Sequence, residues 1–259
     1  MEITYKEHYN ESYFTGKKTY VDHEGKTQQY HGPSLTWQGF LPIANALASL
    51  LPKGTLLDIG CSGGDLARYL KQKGFDPYGV EISEYAIQNC VEKMRERVAL
   101  ADITETPKTL FPYDKNFAWG NEKALEPFPE QFDTVIATDL LEHIYSEDLD
   151  KTFDWILRKT KKWLFFCVAT SGADTDPNKR DFVHKKGTAI PPEWEATAVS
   201  GHVHVRPFKW WAKYFESKNL EIDYQRMYLF QIKRELDKAW KDTGGWNMQC
   251  TFFLRKKDV

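Results

Sequence analysis

The chain has 259 residues, of which 41% are apolar and 28% charged, and its net charge is −2. That length buries a full core and fits one decorated α/β domain. Basic clusters occur only at Arg158 to Lys162 and Arg255 to Lys257, which disfavours nucleic acid as a partner, and the longest apolar run, Trp163 to Ala169, is far too short to span a membrane.

Along the chain, the opening MEITYKEHYN lacks the apolar stretch of a signal peptide. Residues 1 to 32 are polar and rich in tyrosine, without clear periodicity, and read as an arm or lid ahead of one domain over 33 to 259. An apolar stretch from Pro33 to Leu51 predicts a helix disturbed at Gly39 and Pro42. Gly54 to Asp58 is a short strand that runs into the glycine-rich loop Gly60-Cys61-Ser62-Gly63-Gly64. Ser62 and Asp65 have capping-box spacing, and Leu66, Tyr69 and Leu70 recur at helical spacing up to Gly74. Pro77 to Glu81 is a second strand. Ser83 is a helix N-cap, followed by an apolar helical stripe of Ile87, Cys90, Val91 and Met94.

Further strands are expected at Arg97 to Ala101, Phe132 to Thr138 and Lys162 to Ala169, with a helix over 146 to 161. A later helix starts near Pro207, and strands near 220 to 230 and 248 to 255 complete seven. Alternating strands and helices predict an α/β fold: a doubly wound, mostly parallel seven-stranded sheet with helices on both faces. Residues 103 to 131 and 170 to 205 are longer than ordinary connections and follow strand ends, where open α/β sheets bind ligands. They are read as substrate-covering insertions. Cys61, Cys90, Cys167 and Cys250 show neither close pairing nor metal-ligand spacing, and the first three, within apolar or glycine-rich element signals, fit reduced thiols of a cytoplasmic protein.

The glycine loop alone fits many nucleotide-binding folds. A dinucleotide fingerprint needs glycine at its first, third and sixth positions, and here these are Gly60, Ser62 and Asp65. No Gly-Lys-Ser/Thr closes the loop as a P-loop requires. Asp58, at the strand end, repels a pyrophosphate and welcomes a cationic ligand.

On these residues the chain resembles the class I S-adenosylmethionine-dependent methyltransferases, over roughly residues 54 to 170. Asp58-Ile-Gly-Cys-Ser-Gly-Gly64 looks like the family's first motif, with Ser62 where its middle glycine usually stands. Glu81 matches its ribose-binding acid, Ala101-Asp102-Ile103 its adenine-facing position, and Phe132 to His143 its fourth-strand motif. The resemblance implies a Rossmann-like fold and S-adenosylmethionine as cofactor, held by Asp58, Gly60, Cys61, Ser62, Gly64, Glu81, Ile82, Asp102, Ile103, Thr138 and Leu140. Asp58 as a buried cap and Asp102 as a solvated strand-end acid are the plainer alternatives.

Expected activity is methyl transfer to a small polar acceptor, an oxygen of a sugar or secondary metabolite. A silent cofactor-binding domain and a protein or RNA methyltransferase are the competing readings. His143 is the candidate general base, or else a structural histidine that holds its turn. His202 and His204 are candidate substrate-binding residues. Some relatives bind a divalent ion through Glu-x-x-Glu-His where this chain has Asp139, Glu142 and His143; no metal is assigned.

Overall fold

The computed structural model describes residues 5–21, 24–31, 35, 40–114, 126–171, 181–191, 194–241 and 249–257. The arm contains α1 (Tyr5–His8), α2 (Glu11–Phe14) and the hairpin β1 (Thr19–Val21) and β2 (Thr27–Gln29). Next come α3 (Phe40–Leu50), β3 (Thr55–Ile59), α4 (Asp65–Gln72), β4 (Asp76–Glu81), α5 (Glu84–Gln88), β5 (Val98–Leu100) and β6 (Phe132–Thr138). The second half holds α6 (Ser146–Lys159), β7 (Thr160–Cys167), β8 (Thr170–Ser171), β9 (Phe182–Val183), α7 (Glu195–Val199), β10 (His204–Pro207) and α8 (Phe208–Ser217). Last are β11 (Leu220–Ile222), α9 (Tyr224–Leu236), α10 (Lys238–Lys241) and β12 (Thr251–Lys256).

Seven strands form one sheet in the order β11-β12-β7-β6-β3-β4-β5. Pairing is parallel from β7 to β5, while β12 runs antiparallel to both β7 and β11. The predicted Rossmann-like, doubly wound α/β sheet is therefore present. Its strands read as near-continuous apolar runs because both faces are covered: Leu56, Leu57, Val135, Ile136, Phe165, Phe166, Phe252 and Phe253 are fully buried. Each such side chain contributes about 1.5–3 kcal/mol by leaving water. Chain direction across the sheet reverses between β3 and β6, which opens a crevice at their carboxyl ends.

Several local expectations change. Described helix α3 begins at Phe40, and Pro42 sits in its first turn, where its missing N–H costs nothing; Gly39 and the earlier part of that expected helix lie outside the described residues. Ser62 and Asp65 form no capping box. The N-cap of α4 is Gly64 at φ 77°, and Asp65 pairs with Arg68 at 2.7 Å instead. Ile87, Cys90 and Met94 of the stripe are buried and Val91 partly so, but the stripe is not one helix. Asn89 ends α5, the Val91 N–H turns to the Gly63 carbonyl at 3.0 Å, and a 3₁₀ turn takes Glu92–Arg97. The strand expected over 220 to 230 stops at Ile222, because the Asp223 side chain accepts from the Arg226 N–H and starts α9.

The two long connections differ. Trp155 Nε1 donates to the Pro107 carbonyl and Lys159 to that of Lys108, so the described start of the 103–131 stretch lies along α6. The 170–205 stretch carries β8, β9 and α7, and with β10 it forms a small sheet of order β8-β10-β9.

Candidate active site

Three glycines shape the loop after β3. Gly60 has φ 71°, and a Cβ there would stand 3.1 Å from Leu140 Cδ1. A Cβ at Gly79 would stand 2.5 Å from Cys61 Sγ, so that glycine makes room for the loop's cysteine. Gly64 turns away from the crevice toward Cys90 and Met94. Ser62 adopts φ 49°, the left-handed region that glycine favours, and its Oγ is buried with no hydrogen-bond partner.

Acids stand at the ends of β3, β4 and β5. Glu81 Oε2 accepts the Ser62 N–H at 2.8 Å, and Oε1 accepts the N–H groups of Ile82 and Ser83 at 2.9 Å each. The expected ribose-binding acid thus ties its own strand end to the glycine loop, and Oε2 keeps capacity for another donor. Asp58 is buried and its Oδ1 is unpartnered. Burial, and then the neighbouring Glu81 charge, push its carboxyl up to about 8. Asp102 Oδ1 accepts from the Thr104 N–H and hydroxyl, starting a 3₁₀ turn over Ile103–Glu105.

The other wall follows β6. Asp139 takes φ 51°, and a 3₁₀ turn over Leu141–His143 buries Glu142 and His143. Glu142 Oε1 accepts the Ala169 N–H at 2.7 Å, while Oε2 is unpartnered; burial, then Asp139, raise this carboxyl to about 8. His143 Nδ1 lies 2.8 Å from the Tyr9 hydroxyl, and its ring centroid is 4.8 Å from that of His202. Burial, then His202 and His8, hold His143 well below the ordinary histidine range, so its ring is neutral at pH 7.

Both walls enclose one cavity of about 440 Å³. Asp58, Gly60, Cys61, Ser62, Glu81, Ile82, Asp102, Ile103, Thr138, Leu140, His143 and His202 all border it. Two predicted residues do not. Gly64 faces the apolar cluster under the loop, and His204 is buried in β10 against Trp210 and Trp211. Sequence reasoning missed Tyr5, Tyr9, Tyr13 and Tyr30 of the arm, which also line the cavity. The four-residue spacing of the first three was the available signal. Glu142, His143 and His202 bring potential ligand atoms within 4.8 Å of one another and could hold a metal ion.

A sequence model of a family described as a methyltransferase domain matches residues 40–225. The chain belongs to that family. A search of curated proteins gives no match. Among solved structures, the chain resembles Haemonchus contortus phosphoethanolamine N-methyltransferase 2 in complex with phosphomonomethylethanolamine and S-adenosylhomocysteine. That match has 17% identity and a TM-score of 0.51, and it covers 89% of this chain but only 55% of the other. The plantazolicin methyltransferase BpumL, in complex with S-adenosylhomocysteine, matches at 12% identity over 85% of each chain, with a TM-score of 0.50. At such identities the likeness shows the fold. No described helix is long and apolar enough to cross a membrane.

Proposed function

We propose that this methyltransferase-family protein transfers a methyl group from S-adenosylmethionine to an oxygen of a small polar acceptor, such as a sugar or secondary metabolite. The observation that carries the reading is one cavity with three strand-end carboxyls along one wall and a neutral histidine on the other. The residues present fit the cofactor. Asp58 offers an unpartnered buried oxygen to a cationic group, Gly60 leaves a cradle that a Cβ would fill, and Glu81 Oε2 retains acceptor capacity. Held by these residues, S-adenosylmethionine would supply a methyl group on a cationic sulfur for transfer to the acceptor's oxygen, with the C–S bonding electrons left on sulfur.

The chain's own work is to hold the two partners in line and exclude water, which supplies roughly 7–11 kcal/mol. His143 receives the acceptor's hydroxyl proton and later yields it to solvent. No lysine or arginine is among the described residues that line the cavity, which supports a neutral acceptor over a phosphorylated one.

Calorimetry with S-adenosylmethionine, followed by methyl-transfer assays on sugars, phenols, amines and RNA, tests the reading. Expected are binding, its loss in Glu81→Ala, and turnover on hydroxyl acceptors. No binding by the native protein would sink the cofactor assignment. Loss of turnover on adding a chelator would assign His143 to a metal ion rather than to a proton.

A further inference from the structure

The N-terminal arm docks by three hydroxyls spaced four residues apart. Tyr5 accepts the Tyr145 N–H at 2.8 Å and donates to Asp148 at 3.1 Å. Tyr13 donates to the Ser200 carbonyl at 3.2 Å. Between them, Tyr9 Oη stands 2.8 Å from His143 Nδ1 across 134 residues of sequence. The outer two fasten the arm to the start of α6 and to the turn after α7. The middle one meets the proposed base.

Space for that contact is provided by Gly201. It has φ 89°, and a Cβ there would collide with Tyr9 Oη and come within 2.8 Å of His143 Nδ1. The Gly201 backbone therefore lies on the Nδ1 side of the ring. The Gly201 and Asp139 carbonyls, which can only accept, both favour a protonated ring nitrogen on His143. Nδ1 thus has a phenol oxygen, able to accept its hydrogen bond, at 2.8 Å.

We propose that Tyr9 is a positioning residue for His143: its Oη accepts the Nδ1 proton and leaves Nε2 as the bare nitrogen that takes the acceptor's proton. The inference rests on the base role given to His143 above. Which ring nitrogen carries the proton is set by the partner of the other, and the wrong tautomer disables a histidine base even where geometry is kept. In this arrangement the arm completes the catalytic apparatus as well as covering it.

Ring ¹⁵N shifts of His143, recorded on the whole protein without cofactor or acceptor, read the tautomer directly. Expected is Nδ1 protonation in the native protein and a mixed population in Tyr9→Phe. In turnover, Tyr9→Phe is expected to lower kcat roughly ten- to a hundredfold, with KM for S-adenosylmethionine unchanged. Tyr20→Phe, elsewhere in the arm, leaves both as they are. Nε2 protonation in the native ring, or native-like His143 shifts in Tyr9→Phe, overturns the proposal. An Nδ1-protonated ring in a protein that methylates no acceptor upholds the Tyr9 contact and overturns the functional reading instead.

Discussion

Asp58 and Glu81 end neighbouring strands, yet the backbone satisfies only one of them. Glu81 receives three N–H groups, whereas Asp58 Oδ1 receives none and its carboxyl is lifted to about 8 by burial and then by the Glu81 charge. At pH 7 Asp58 is therefore mostly protonated in the free protein.

A cation arriving beside Asp58 favours its carboxylate, so its raised value falls on binding and the proton leaves. The window runs below about 8, where the free protein still holds that proton. Calorimetry at pH 7 in buffers of different ionisation heat is expected to show about one proton released per S-adenosylmethionine bound. Asp58→Asn should abolish the buffer dependence. Identical heats in every buffer for the native protein would contradict this account.

Glu81 is expected to matter for stability as well as binding. Glu81→Ala strips partners from the N–H groups of Ser62, Ile82 and Ser83. Each buried donor left without a partner costs about 1–3 kcal/mol. Thermal denaturation of the cofactor-free protein should show a clear drop in Tm; an unchanged Tm would mean that the loop does not depend on the carboxylate.

Ser62 stands in a conformation that suits glycine and buries a hydroxyl with no partner. Relief of the left-handed strain is worth about 1–2 kcal/mol, partly offset by about 0.4–1 kcal/mol from the looser unfolded chain. Ser62→Gly should therefore raise the stability read from urea unfolding by up to about 1.6 kcal/mol. A lower midpoint would show that the Oγ has a role in the folded loop.

Much of the wall that carries Asp58, Glu81 and Asp102 was readable because its signals are local. Asp58, Glu81 and Asp102 each follow a short apolar strand, and parallel register alone sets those strand ends side by side. Where tertiary contacts decide, the reading failed. Val91 bonds to Gly63 rather than continuing α5. Asp223, by contrast, is a local N-cap signal that the strand reading passed over. The tyrosines of the arm escaped for a related reason. Tyr5 and Tyr13 sit on two four-residue helices with Tyr9 in the turn between, too short a run to read as a helix, and the partners of these three lie more than a hundred residues away. His204 misled because it opens β10, where its ring packs into the core against Trp210 and Trp211.

Gly201 links the arm to the wall that carries His143 through space that only a missing Cβ provides. Gly201→Ala meets two obstacles: a φ of 89° that strains any L-residue, and a methyl group driven against Tyr9 Oη and His143 Nδ1. Neither neighbour yields easily, since Tyr9 lies in a docked arm and His143 in a buried turn. The cheaper relaxation is to lift the arm, because its described contacts are hydroxyl bonds and ring packing rather than sheet pairing with the core. Expected is faster proteolysis within residues 5–30, together with loss of the native His143 ring shifts. S-adenosylmethionine should still bind within about tenfold of native affinity, since the strand-end acids are untouched, a difference of about 1.4 kcal/mol at most. If instead Gly201→Ala keeps native proteolysis and native His143 shifts, the Tyr9–His143 contact does not depend on that space.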